Sequence, residues 1–182
     1  MRTPFLRITF TLGLLLSLNA ISLFGQKKIK FPTVSTEMIS GREVTFPDAF
    51  AGKYALVGIG TSKKAEKELR TWQVPVYNKF VLKTGLMDAM YQVEIAFLPL
   101  FTGAAQVAKN QVIKDLKATN EALVLDHLYI YSGNRAPFTE IGVEDKTEPY
   151  FLLIDAEGRI IWRAEGAFKQ AYLDQVEEIL WR

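Results

Sequence analysis

Two short runs, Tyr54-Ala55-Leu56-Val57-Gly58-Ile59-Gly60 and Tyr150-Phe151-Leu152-Leu153-Ile154, contain no charged or amide side chain at any position. A strand with one wet face alternates apolar and polar residues, and these runs do not alternate. They read as strands covered on both faces, the first as part of a parallel sheet. Such strands need a packed layer above and below, which narrows the architecture to a sheet inside helices. The chain has 182 residues, enough for one ordinary domain with a substantial core. Its 49% hydrophobic and 23% charged residues are those of a globular protein.

The remaining elements fall between these strands. Lys27–Pro32 is an extended lead-in, and Val34–Met38 and Glu43–Phe46 form a hairpin around Ser40-Gly41-Arg42. Ser62 caps a helix whose inner face carries Ala65, Leu69, Trp72 and Val76; Pro75 kinks it, and Tyr77, Phe80 and Val81 extend the stripe. Met90–Leu98 reads as a strand stopped by Pro99. Residues 102–119 read as a helix with Ala105, Ala108, Val112 and Leu116 on one face. Leu128–Tyr131 is strand-like, and Ala136–Ile141 is a short helix. The turn Asp155-Ala156-Glu157-Gly158 needs glycine for positive φ, and Arg159–Ala164 returns antiparallel. A last helix over Lys169–Leu180 turns Leu173, Val176 and Leu180 inward. The expected product is a mixed sheet with helices on both faces and an N-terminal hairpin extension.

Residues 1–25 have a different build. Arg2 and Arg7 precede an apolar run from Ile8 to Phe24, and small residues follow at Ala20, Ser22 and Gly25. This is the form of a secretory signal peptide, cut after Ser22 or Gly25, which leaves a domain over 26–182. An uncleaved membrane anchor is the alternative, although Thr11, Asn19 and Ser22 make the run short and polar for a stable span. A mitochondrial presequence fits less well, because its arginines would be spread along the helix. The formal charge of +2 also resolves here: without Arg2 and Arg7 the chain carries twenty basic and twenty acidic groups. With no net charge and no basic run, nucleic acid is not an expected partner.

The stretch Thr147-Glu148-Pro149-Tyr150-Phe151-Leu152-Leu153-Ile154-Asp155-Ala156-Glu157-Gly158-Arg159-Ile160-Ile161-Trp162 resembles the C-terminal hairpin of thioredoxin-like proteins. The resemblance implies a thioredoxin-like three-layer α/β/α sandwich and a cis bond before Pro149. A narrower likeness joins Asp155, Gly158, Ile160, Trp162 and Gly166 with Trp72 and Pro75. It resembles the thioredoxin-like mitochondrial ATP synthase assembly factors, and implies assembly work. Ile161 stands where those proteins carry arginine, and an export signal does not suit a matrix protein.

Redox members of the thioredoxin-like family hold Cys-x-x-Cys at the start of the first helix after the first central strand. The corresponding text here is Thr61-Ser62-Lys63-Lys64-Ala65-Glu66, and the chain has no cysteine anywhere. Thiol–disulfide exchange and thiolate peroxidase chemistry are therefore excluded, and so are disulfides and zinc ribbons. Lys63 and Lys64 sit where a helix disfavours cations. They read either as an anion site assisted by Ser62 or as two solvated lysines.

The other candidates are weaker. His127 is the single histidine, with Asp126 beside it, and reads as structural rather than metal-ligating. Asp155 and Glu157 could do acid–base work, but in a tight turn they are expected to bond the turn itself. Trp72, Trp162 and Trp181 read as packing residues, and Tyr129 and Tyr131 share one strand face. Phe97–Gly103 reads as an apolar connection, either tucked under the sheet or offered to a partner. The expected function is a non-catalytic binding, assembly or chaperone module of the periplasm or cell envelope. It would hold a protein or extended peptide in a groove between Thr61, Ser62, Lys63, Lys64 and Glu148, Pro149, Tyr150. No catalytic residue, cofactor or metal is expected. The alternative is an enzyme of unknown non-redox chemistry using Ser62, Lys63 and nearby carboxylates, or the acids near Asp155.

Overall fold

The computed structural model describes residues 29–119, 122–144 and 146–182. The segment read as a signal peptide lies outside them. Seven strands form one mixed sheet: β1 (Val34–Met38), β2 (Glu43–Phe46), β3 (Tyr54–Gly60), β4 (Val93–Thr102), β5 (Tyr129–Gly133), β6 (Tyr150–Ile154) and β7 (Ile160–Glu165). Their order across the sheet is β2-β1-β5-β4-β3-β6-β7. β4 runs parallel to β3 and β5, while β6 is antiparallel to β3 and β7. The expected β1–β2 hairpin is present and docks on β5 through Glu37 and Met38.

β3 and β6 are covered on both faces, as their sequences require. Leu56, Phe151 and Leu153 face one cluster; Ala55, Val57, Ile59, Tyr150, Leu152 and Ile154 face the other. The first face carries the long helices α1 (Lys63–Val76) and α5 (Gln170–Leu180), together with α2 (Lys109–Thr119) and the single turn α3 (Ala122–Leu125). The second face is closed by short pieces: the 3-10 turn Asp48–Phe50, the turn α4 (Ala136–Thr139) and an aromatic group of Phe31, Phe46, Phe50 and Phe138. The two outer layers are therefore unequal.

Trp72 is the keystone of the first face. It is wholly buried, stacks on Phe151 at 3.8 Å and 14°, and donates its indole N–H to the Gly166 carbonyl at 2.9 Å. Gly58 makes that stack possible. A Cβ there would stand 2.7 Å from the Phe151 ring, so any side chain would push the ring into Trp72.

Several boundaries differ from expectation. α1 passes through Pro75 and ends in a π-helical turn over Tyr77–Val81, closed by the Leu82 amide on the Tyr77 carbonyl at 2.8 Å. A π-turn is one way a helix absorbs a break in its hydrogen-bond ladder. β4 does not stop at Pro99 but continues to Thr102. Proline lacks only one ladder donor, and burial of Leu98, Leu100 and Phe101 holds the strand on course. The stretch read as an apolar connection is thus a core strand. The expected helix over 102–119 divides into an exposed 3-10 segment, Gly103–Ala108, and α2.

The bond before Pro149 is trans; the cis bond among the described residues is Phe46–Pro47. Pro149 is buried, its carbonyl accepts the Gly166 amide at 3.0 Å, and Tyr150 pairs at once with Ile59 and Glu165. The chain runs extended into β6, which the ordinary trans geometry serves. The turn at Asp155–Gly158 is as expected, with Gly158 at φ +76°.

Candidate functional site

The C-terminal ends of β3 and β4 and the start of α1 meet at one pole of the sheet. Open α/β sheets place ligand sites beyond the carboxyl ends of their parallel strands. Thr61 and Ser62 lead from β3 into α1. Ser62 is the N-cap: its Oγ accepts the Ala65 amide at 3.2 Å and donates to the Lys146 carbonyl. That second bond brings the loop before Pro149 against the helix start. Lys64 Nζ lies 3.5 Å from Glu148 Oε1.

Glu148 has a second acidic neighbour. Its hydrogen bond to Glu68 holds the Glu68 carboxyl above the usual range; burial and the Glu148 charge add to this, against Lys64 and Lys67. The expected groove residues are thus gathered at one pole, but unequally available. Thr61 is half-buried and Ser62, Lys63 and Lys64 are exposed, whereas Pro149 and Tyr150 are buried. Tyr150 packs under Arg163, whose guanidinium is 4.8 Å from the ring centroid.

The open space lies on the other flank of α1. A partly enclosed cavity of about 160 Å³ sits between α1, the end of β4 and the segment from Ala105 to Leu116. Its floor is Leu69, Phe97, Phe101 and Leu128, and its roof is Ala105, Ala108, Val112 and Leu116. The roof residues are the stripe read from the sequence as one helix face. Val112 and Leu116 pack against the core of this face, whereas Ala105 and Ala108 are exposed and carry only a methyl each, so the layers do not close there. The roof is tied at its ends by Lys109 to Glu37 at 2.7 Å and by Gln106 to the Gly133 carbonyl at 3.3 Å.

The cavity's rim is polar. Ser62 and Lys63 stand at one end, Glu66, Arg70 and Gln73 along α1. Arg70 is paired with Glu66 at 2.7 Å, and Lys63 has no acidic partner among the described residues. Sequence reading found Thr61, Ser62 and Lys63 but missed Glu66, Arg70 and Gln73. Their signal was available: Glu66, Arg70 and Gln73 follow Ser62 at helical spacing of three and four.

The remaining candidates lie elsewhere or are committed. His127 Nδ1 is 3.1 Å from the Ile95 carbonyl, and its ring meets Tyr77 edge-on. Asp155 stands at the opposite pole, following the strand end that pairs with Ala55. Its Oδ1 accepts the Arg159 and Glu157 amides, and its Oδ2 bonds Arg159 Nε at 2.6 Å. Burial raises its pKa, but these bonds outweigh burial and hold it below the usual range. Asp155 thus lies away from Ser62 and is bonded within its own turn. Among the described residues no group of three acidic or histidine side chains is placed to hold a metal ion.

No family model matches the chain, and no curated protein sequence does. Solved structures match over most of its length. An exposed lipoprotein thioredoxin from Streptococcus pneumoniae aligns at TM-score 0.55 and 14% identity, over 80% of this chain and 98% of that one. The thioredoxin domain of a thiol-disulfide oxidoreductase from Bacteroides vulgatus aligns at 0.54 and 17%, over 84% and 96%. A DsbE-type thiol:disulfide interchange protein from Chlorobium tepidum aligns at 0.54 and 13%, over 83% and 93%. At these identities the likeness is one of fold: the chain is a cysteine-less polypeptide with a thioredoxin-like fold.

Proposed function

We propose that the protein is a non-redox binding module of the cell envelope that holds a segment of another polypeptide at the pole where α1 begins. The observation that carries this reading is the apolar cavity beside Ser62. The helix start that bears a dithiol in redox thioredoxin-like proteins here bears a serine used as a cap, and an apolar cavity adjoins it. Concave apolar sites with a few polar groups at the rim are the usual form of a ligand site. The export-like N-terminus and the exposed lipoprotein and DsbE-type proteins among the structural neighbours support an envelope location. An assembly or chaperone role would be one use of such binding. Proton-transfer chemistry is less favoured, because the Ser62 hydroxyl is bonded to a backbone carbonyl rather than to a base.

The test is site-specific photo-crosslinking in the native envelope. A crosslinker at Gln73, on the rim, should trap a discrete polypeptide, and Ala108→Leu in the roof should abolish the adduct. A crosslinker at Asp174 on α5 should trap none. Equal adducts from both positions, or none from Gln73, would contradict the reading.

A further inference from the structure

We infer that the cavity takes the C-terminal residue of a partner polypeptide, with a single phenyl-sized apolar side chain inside and the free carboxylate at the rim. This rests on the proposed binding role and names the chemistry that fills the site.

Size sets the first half. The cavity's volume is about 160 Å³, and an apolar protein cavity of about 150 Å³ stays dry and accepts benzene. One ring or one branched chain matches that space. The walls are largely hydrocarbon, with Leu69, Phe97, Phe101 and Leu116 around the space and the polar side chains, Thr61 and Ser62 among them, at one end. A polar group set among the apolar walls would lose its water without a partner, and that cost favours hydrocarbon there.

Charge sets the second half. Glu66 and Arg70 neutralise each other at 2.7 Å, and Lys64 is engaged with Glu148 at 3.5 Å. Lys63 is the rim cation left uncompensated among the described residues. An anionic group entering beside the apolar body meets a positive rim, whereas an ammonium group would meet it at a disadvantage. The exposed setting keeps this effect modest, on the order of a few-fold in affinity.

The experiment is a calorimetric titration of the full chain with three probes: 3-phenylpropanoate, a hexapeptide ending in free Phe, and the same peptide amidated at its C-terminus. The free-acid peptide should bind about threefold more tightly than the amide, an effect of exposed-pair size. Lys63→Gln should remove that difference and leave amide binding unchanged. Ala108→Leu should abolish binding of all three. A free-acid peptide that binds more tightly than 3-phenylpropanoate supports a polypeptide terminus; 3-phenylpropanoate that binds as tightly would overturn it and assign the cavity to a small acid. Equal binding of acid and amide by the unaltered protein would overturn the carboxylate inference and leave the cavity's binding role standing. Failure of all three probes would overturn both.

Discussion

The Ser62 hydroxyl donates to the Lys146 carbonyl while accepting the Ala65 amide at 3.2 Å. One side chain thus caps α1 and pins the loop that leads into β6. Substituting Ser62→Ala removes the cap acceptor and leaves the Lys146 carbonyl to water. The expected loss is about 1 kcal/mol of stability, the usual cost of deleting a serine N-cap, measured by urea unfolding. Ser62→Asp should preserve the cap but not the donor. It should therefore recover part of the loss; no recovery would place the stabilisation in the Lys146 bond alone.

Gly58 and Phe151 set the second expectation. Gly58→Ala places a methyl 2.7 Å from the Phe151 ring, which is already sandwiched against Trp72. The expected destabilisation is about 1–3 kcal/mol, the range for overpacking a core. Near-ultraviolet circular dichroism should report the disturbed tryptophan before global unfolding does.

Lys79 joins two carboxylates at the pole away from the cavity, Asp88 at 2.9 Å and Glu177 at 2.8 Å. Burial opposes its charge, but the hydrogen bonds it donates to Glu177 and Asp88 more than compensate and raise its pKa. The Lys79 bond holds the Asp88 carboxyl below the usual range, against burial and with help from the Gly85 amide. A depressed carboxyl stabilises the fold at pH values above its unfolded pKa. That contribution fades as pH falls through the lowered folded value. Lys79→Met should cost about 3–5 kcal/mol near neutrality by stranding Asp88. Lys79→Met with Asp88→Asn should regain much of it and flatten the acid limb of the stability curve.

Glu68 behaves in the opposite sense. Its pKa is raised, chiefly by the hydrogen bond to Glu148. The folded state therefore binds its proton more tightly than the unfolded chain. This contribution is complete below the ordinary glutamate pKa and is lost as pH rises through the raised value. Glu68→Gln should make the α1–Glu148 contact insensitive to pH in that window. Thermal unfolding at pH 4 and pH 7 should show a smaller difference than in the unaltered protein.

Much of this was written in the residue pattern. The two runs without polar positions dictated β3 and β6 and their double coverage, and Ser62 with Ala65, Leu69, Trp72 and Val76 dictated α1. Pro99 misled, because a proline's missing donor looks like a strand end when the burial of Leu100 and Phe101 is not in view. Pro149 misled through resemblance: the bond before it is trans, and its carbonyl's partner, the Gly166 amide, lies 17 residues away, out of view of the local text. The cavity could not be read at all. Ala105, Ala108, Val112 and Leu116 spelled an inward face, but whether such a face closes on a sheet depends on what opposes it. Here Ala105 and Ala108 stay exposed, and a gap is left beside Leu69 and Phe101.

Benzene titration followed by 1H-15N and methyl NMR on the full chain tests the cavity as a binding site most directly. Saturable shifts confined to Leu69, Val112, Leu116 and Leu128, abolished by Ala108→Leu with the fold intact, are the predicted result. Benzene that shifts none of these signals, or shifts them equally in the Ala108→Leu protein, would contradict a binding site at the start of α1.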